Sequence, residues 1–297
     1  MNFALNYSRA AERFLEAGRI QIDLFKLPAW PDLVDQVCSR HPGYIHFPLL
    51  VTGGDGIVLD AEKDLPADFD LIERLLTKTG TSKVNIHLCP APERNTDIPQ
   101  ADRSPGMVQE VTGRMIRDVE NLVRRFGASK VIAENDAGGP EMLAAGLEPE
   151  VVHSVIEATG CGFLFDLSHA RLAARQLGMD PREYIACLPT DRIREMHITG
   201  IQKIDEGWME RLRSGGMDEA FIQRHAGRWN DHLPLTAEDW EFAGWAMEQV
   251  HRGYWNTPEI VAIEYGGIGG FFEAVSEEAV ILEQIPQLKE LVKGKQN

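Results

Sequence analysis

The sequence predicts an α/β fold built as a (β/α)8 TIM barrel with one insertion after its seventh strand, and three observations carry that expectation. Short apolar runs alternate with helical stretches along the whole chain, eight such runs fall within 297 residues, and no GxGxxG follows the first of them. Alternation argues for a parallel sheet covered by helices. Eight units in a chain of this length suit a closed barrel. The missing glycine signature counts against an open doubly wound sheet, the runner-up. One barrel domain over residues 1–297 is expected, with residues 201–229 inserted as a lid or an elaborated loop, the lid being favoured.

The candidate strands are "FALNY" (3–7), "IQIDLF" (20–25), "YIHFPLLV" (44–51), "KVNIHL" (83–88), "KVIAEN" (130–135), "GFLFDL" (162–167), "IREMHI" (193–198) and "EIVAIEY" (259–265). Each is short and nearly continuous in apolar residues, as strands buried on both faces are. "VTGGDG" (51–56) reads as a tight turn extending the third strand. The clearest helix is 107–126, where Val108, Val111, Met115, Val119, Leu122 and Phe126 share one face before Gly127 closes the turn. Pro149 opens another helix through "EVVHSVIEATG". Asp166 and Ser168 stand where an N-cap is expected, ahead of a helical stretch. In the insertion, "WMERLRSGGMDEAFIQRHAGRW" has helical patches split by Gly215 and Gly216, a segment longer than most loops.

Composition removes several classes. A net charge of −16 repels phosphate backbones, so no nucleic-acid partner is expected. The short basic clusters at 124–127 and 210–216 read as solvated helix faces. No apolar run reaches the roughly 18–20 residues a membrane span needs, and the N-terminus lacks a basic start and long apolar core, so a cytoplasmic protein without membrane partners is expected. Cys38, Cys89, Cys161 and Cys187 are widely separated, form no CxxC pair and read as small apolar filler.

The strand ends carry the chemistry, because barrel strands converge at their C-terminal ends on one pocket. Read in order, those ends give His46, His87, Glu134, Asp166 with His169, His197 and Glu264, while His232 follows the insertion in "NDHLPLT". One core histidine is ordinary. Five histidines and three carboxylates at corresponding ends are not, since buried polar groups without partners each cost several kcal/mol. The donor set suits Zn, Fe or Mn and lacks a thiolate cluster. Eight donors exceed the six of one octahedral ion, so two or more ions bridged by carboxylates are expected, with some groups orienting the others. Asp166 and His169 are expected as ligands, with capping secondary. His41 and His251 fall in the last turns of helices, His153 lies within one, and His225 reads as surface. Lys26 reads as a solvated lysine, with an electrostatic or Schiff-base group as the alternative, and "GGIGG" (266–270) is a weak phosphate signal.

The succession "GFLFDLSHA", "PTDRIREMHITG", "NDHLPLT" and "IVAIEYGGIGG" resembles the multinuclear non-haem iron-dependent oxidases, the family that includes the methanobactin biosynthesis oxidase, within the xylose-isomerase-like TIM barrels. The resemblance is most specific over 160–270 and looser through His46, His87 and "AENDAGG" (133–139). It implies two or three Fe ions, the use of O2 to modify cysteine or other residues of a peptide substrate, and a partner protein presenting that peptide. It matches His46 and His87 to early histidine ligands, Glu134 to the strand carboxylate, and Asp166 and His169 to an aspartate and the ligand three residues on. His197 matches the histidine of the "HxAG" stretch, here "HITG", and Glu264 the final glutamate. The family's Asp-x-His element aligns with Asn230, Asp231 and His232, so either Asn230 is a ligand or Asp231 is one from a shifted register.

The mechanism so implied leaves open metal positions for O2 and a substrate thiolate, with Glu134, Asp166 and Glu264 as the carboxylates nearest the chemistry. A small-molecule thiol is the alternative substrate. The rival reading is a Mn, Zn or Mg sugar isomerase or epimerase using Glu134 or Glu264 as base. A phosphodiesterase acting on damaged DNA would want a basic groove, and a scaffold would need every coordination position closed by protein.

Overall fold

Short strands buried along most of their length alternate with amphipathic helices throughout the structure, a computed structural model that describes residues 1–90, 92–139 and 142–294. The first half contains β1 (Asn2–Asn6), α1 (Arg9–Glu16), β2 (Leu24–Pro28), α2 (Pro31–Cys38), β3 (Gly43–His46), β4 (Leu49–Val51), β5 (Val58–Asp60), β6 (Leu65–Pro66), α3 (Phe69–Thr79), β7 (Val84–His87), α4 (Pro105–Phe126) and β8 (Val131–Glu134). The second contains α5 (Pro149–Thr159), β9 (Gly162–Asp166), α6 (Leu167–Leu177), α7 (Pro181–Ala186), β10 (Ile193–Ile198), β11 (Gly200–Lys203), α8 (Glu206–Ser214), α9 (Glu219–His225), β12 (Trp229–Leu233), α10 (Ala237–His251), β13 (Ile260–Ile263), α11 (Gly270–Val275) and α12 (Glu278–Lys293). The chain divides into two compact units, residues 27–196 and residues 1–26 with 197–297.

In the unit 27–196 the strands lie in the order β9-β8-β7-β4-β5-β6. The pairs β4–β7, β7–β8 and β8–β9 are parallel, and β5 and β6 are added as antiparallel hairpins. The expected third strand, 44–51, is two strands interrupted at Phe47 and Pro48. Proline cannot donate to a ladder. Across the break the buried Asn85 replaces a strand neighbour, accepting from Phe47 N at 2.7 Å and donating to Phe47 O at 2.9 Å. "VTGGDG" supplies the β4–β5 turn. Asp118 of α4 gathers that turn by accepting from Thr52, Gly54 and Gly56 backbone N–H groups at 2.8, 3.2 and 2.9 Å. Gly54 is needed there: its φ is +84°, and a Cβ would lie 2.7 Å from Arg114. Helix α4 buries Val108, Val111, Met115, Val119 and Leu122 of the expected face, while Phe126 at its end is half-buried.

In the other unit, β1 pairs in parallel with β13 on one side and with β2 on the other. The second strand starts at Leu24 rather than Ile20, because the Asp23 carboxylate takes the Phe3 N–H at 2.7 Å where a strand carbonyl would stand. The insertion is a folded element. β11 and β12 form an antiparallel hairpin carrying α8 and α9, with an apolar centre of Ile204, Leu212, Ile222, Leu233 and Val275. Helix α8 ends at Ser214, and Gly216, with φ +83°, turns the chain toward α9. No helix among the described residues is long and apolar enough to cross a membrane.

Candidate metal centres

Parallel register brings the first cluster together. His87 and Glu134 are the last residues of β7 and β8 and stand opposite each other in the ladder. His87 Nε2 lies 3.1 Å from Glu134 Oε2, and His46 Nε2, from the end of β3, lies 3.6 Å from the same oxygen. The two imidazole nitrogens are 3.2 Å apart. Their environments fix which lone pairs face inward. His87 Nδ1 faces Leu49 O at 3.0 Å, so that nitrogen carries the proton and Nε2 is the acceptor. Asn85, oriented by its two bonds to Phe47, sets Nδ2 3.1 Å from His46 Nε2, which makes that nitrogen an acceptor too; its single lone pair accepts this N–H or binds an ion, so an ion there takes the place of the Asn85 contact. Two acceptor nitrogens and one carboxylate oxygen therefore converge, within 4.8 Å of one another. A divalent cation balances that arrangement, and this donor set fits one.

Glu134 is 1% exposed, and its second oxygen points elsewhere, with Oε1 3.5 Å from His169 Nδ1. His169 Nδ1 also faces Asn135 O at 2.9 Å, and its Nε2 lies 3.7 Å from Asp166 Oδ2. Asp166 caps the helix that follows it, one of the two readings weighed from the sequence, and keeps an oxygen beside His169. Its Oδ1 accepts from His169 N at 2.8 Å and caps α6, while its Oδ2 faces the imidazole. Asn135 clamps the Asp166 backbone, donating to its O and accepting from its N, both at 2.9 Å. Burial first, then the neighbouring Asp136 carboxylate, pushes the Cys89 thiol well above its ordinary range.

The second cluster belongs to the other unit. Glu264 directly follows β13, and its Oε1 lies 3.1 Å from His197 Nδ1 on β10. His232 on β12 sets Nδ1 3.0 Å from Glu264 O and Nε2 3.8 Å from Glu264 Oε2. The His232 backbone takes φ +58°, a left-handed conformation that costs a non-glycine residue energy and re-aims its side chain. Burial alone would raise the Glu264 pKa, but the charges of His197, Lys26 and His232 outweigh it and hold the carboxyl well below its usual range. Of the two neighbours left open by the sequence, Asp231 lies toward His232, with Oδ1 4.0 Å from His232 Nε2. Asn230 Nδ2 donates back to Arg228 O at 3.2 Å.

Several expectations are corrected. Lys26 is not solvated: it is 8% exposed, lies within β2 and forms an ion pair with Glu264 Oε1. "GGIGG" presents no open anion turn, because the Gly269 N–H donates to the Glu273 carboxylate at 3.0 Å. Cys187 is exposed and so is not apolar filler. His41 lies beyond α2, which ends at Cys38. His153 stays on the exposed face of α5, and His225 stacks on Phe221. Asn85 and Asn135 escaped the sequence reading. Asn85 stands two residues before His87, so strand alternation alone puts both on one face.

Fold and donor groups together define a TIM-barrel protein bearing histidine–carboxylate clusters. Solved structures of similar fold include the IOLI protein with a bound zinc atom (TM-score 0.56, 11% identity, 99% of this chain and 98% of that one). Endonuclease IV from Thermus thermophilus is another (TM-score 0.51, 15% identity, 98% and 99%). At such identities the likeness is one of fold, and it bears out the predicted barrel. The chain belongs to the family described as RiPP precursor modification enzyme MbnB/TglH/ChrH, whose profile matches residues 56–228, as the sequence resemblance implied. A UPF0276 protein of Caulobacter vibrioides is 27% identical over 175 residues, 57% of this chain and 58% of the relative. The matched region thus spans little more than half the length of that relative.

Proposed function

We propose that this chain is a multinuclear iron oxidase that uses O2 to modify a cysteine-containing peptide or a small thiol, the peptide being presented by a partner protein. The observation that carries the reading is the convergence of His46 Nε2, His87 Nε2 and Glu134 Oε2, with His87 held through its other nitrogen by Leu49 O. Membership of a RiPP precursor modification family supports a peptide substrate.

His46, His87 and Glu134 would hold one ion. Glu134 through its other oxygen, with His169 and Asp166, would hold a second. His197, His232 and Glu264 are a further donor group. Iron, when bound, supplies the redox chemistry with O2 that no side chain of the chain can supply. The chain's own contribution is positional. Leu49 O fixes the His87 lone pair, Asn85 holds the Phe47 backbone next to His46, Asn135 fixes Asp166, and a carboxylate flanked by imidazoles can take the proton of an arriving thiol. A thiol substrate suits a reducing compartment, so the protein is placed in the cytoplasm.

The test is anaerobic reconstitution with Fe(II), followed by O2 and a cysteine-containing peptide encoded beside the gene. Oxygen uptake with a mass change at cysteine is expected. Uptake of a single manganese or zinc ion, with no iron retained, would overturn the oxidase reading in favour of a sugar isomerase.

A further inference from the structure

The glycine-rich run after β13 presents no open anion turn, and its use lies in the helix it leads into. That helix, α11, carries Phe271 and Phe272 side by side, and Phe272 is 40% exposed. The ring is nevertheless held in place. A Cβ at Gly267 would lie 2.5 Å from Phe272 Cβ, so glycine there is what lets the phenylalanine pack down on the loop. Ser276 Oγ donates to Phe272 O at 2.6 Å. Tyr265, directly after Glu264, pins the end of α11: its hydroxyl donates to Val275 O at 3.2 Å and accepts from Glu277 N at 2.8 Å. The Phe272 ring meets Phe271, with centroids 5.9 Å apart, and Phe271 in turn meets Phe221 of α9, also at 5.9 Å. Phe272 also stands edge-to-face with His232, the centroids 4.9 Å apart and the planes at 79°. All of these residues belong to one compact unit.

We propose that Phe272 forms an apolar subsite for the residue flanking the cysteine of the substrate, so that this chain favours a thiol with an aromatic or large aliphatic neighbour. The inference rests on the cysteine-modifying reading above and narrows the substrate class of that site. Distance decides the occupant. Consecutive residues of a peptide are about 3.8 Å apart, and the Phe272 and His232 rings are 4.9 Å apart. A thiol brought to an ion on His232 therefore carries its neighbouring side chain to the phenyl ring. A ring left in water gains by burial against an apolar face, and most against another aromatic one.

The experiment loads the full chain with Co(II) and titrates it with two blocked tripeptides, one with cysteine between two phenylalanines and one with cysteine between two serines. The readout is the thiolate-to-cobalt absorption band. The wild type is expected to bind the phenylalanine-flanked peptide about five- to tenfold tighter than the serine-flanked one. Phe272→Ala should bring that ratio to about one by weakening the phenylalanine-flanked peptide alone, and Phe272→Leu, which keeps an apolar face, should fall between. Phe272→Gln repeats the test if Phe272→Ala does not fold. Equal affinities in the wild type, or a preference that survives Phe272→Ala, overturns the proposal. So does an equal loss for both peptides or a lower Co(II) content in Phe272→Ala, either of which would make the ring a support for His232 instead. A band with no preference sinks the subsite alone, whereas no band with either peptide sinks the cysteine reading and the subsite with it.

Discussion

Replacing Asn85 with leucine should cost more than almost any other single substitution outside the apolar core. Asn85 is 3% exposed and Phe47 1%. The side chain satisfies both backbone groups of Phe47 at the point where Pro48 ends the strand, and it faces His46 Nε2. Leucine has nearly the same volume, so no large cavity forms. It leaves one buried N–H and one buried C=O without partners, at about 1–3 kcal/mol each, or about 2–6 kcal/mol together. With a urea slope of about 3 kcal/mol/M, the midpoint of the metal-free protein should fall by about 0.7–2 M. Metal affinity should fall with it, because the Phe47 backbone next to His46 is then no longer held. A midpoint shift below about 0.3 M, equivalent to about 1 kcal/mol, would refute the role given to Asn85.

Three further outcomes are expected. Gly200→Ala would place a Cβ 2.1 Å from Pro234 O, so the insertion hairpin must move, and a loss of about 1–3 kcal/mol should appear in thermal unfolding. Burial holds the Tyr265 phenol protonated and pushes its pKa from about 10 up to about 12, so its stabilisation is complete below pH 10 and lost as pH rises toward 12. Tyr265→Phe should flatten that slope in denaturation midpoints taken from pH 9 to 12, and an unchanged slope would contradict it. His153→Ala should leave metal content and stability unaltered, since the ring is exposed and only 3.8 Å from Glu157 as its neighbour; metal loss there would mean that the donors lie elsewhere.

What the sequence makes legible follows from which forces are local. Strands such as 131–134 and 162–166 were visible because burial on both faces leaves an uninterrupted apolar run, and the polar residue ending each run marked its C-terminal end. That His87 and Glu134 both end strands was legible, while their pairing is set by the ladder register. The proline in "HFPLL" already signalled the break in the third strand, but the apolar run hid it. Lys26 was misread because its partner is 238 residues away, and no local pattern reports a contact across an intervening strand. The aim of His232 depends on a single left-handed backbone angle, which composition does not encode. Asp166 illustrates a limit of motif reading: cap and ligand were weighed as rivals, while one carboxylate has two oxygens, and capping with one leaves the other facing His169.

The most direct test of the central claim is metal content per chain for protein purified without chelator, beside His46→Ala and His87→Ala, backed by Mössbauer spectra of iron-57-grown cells. The account predicts two spin-coupled irons in the wild type and a clear loss in both variants. Iron content unchanged by either substitution, or a single zinc or manganese ion in its place, would contradict it.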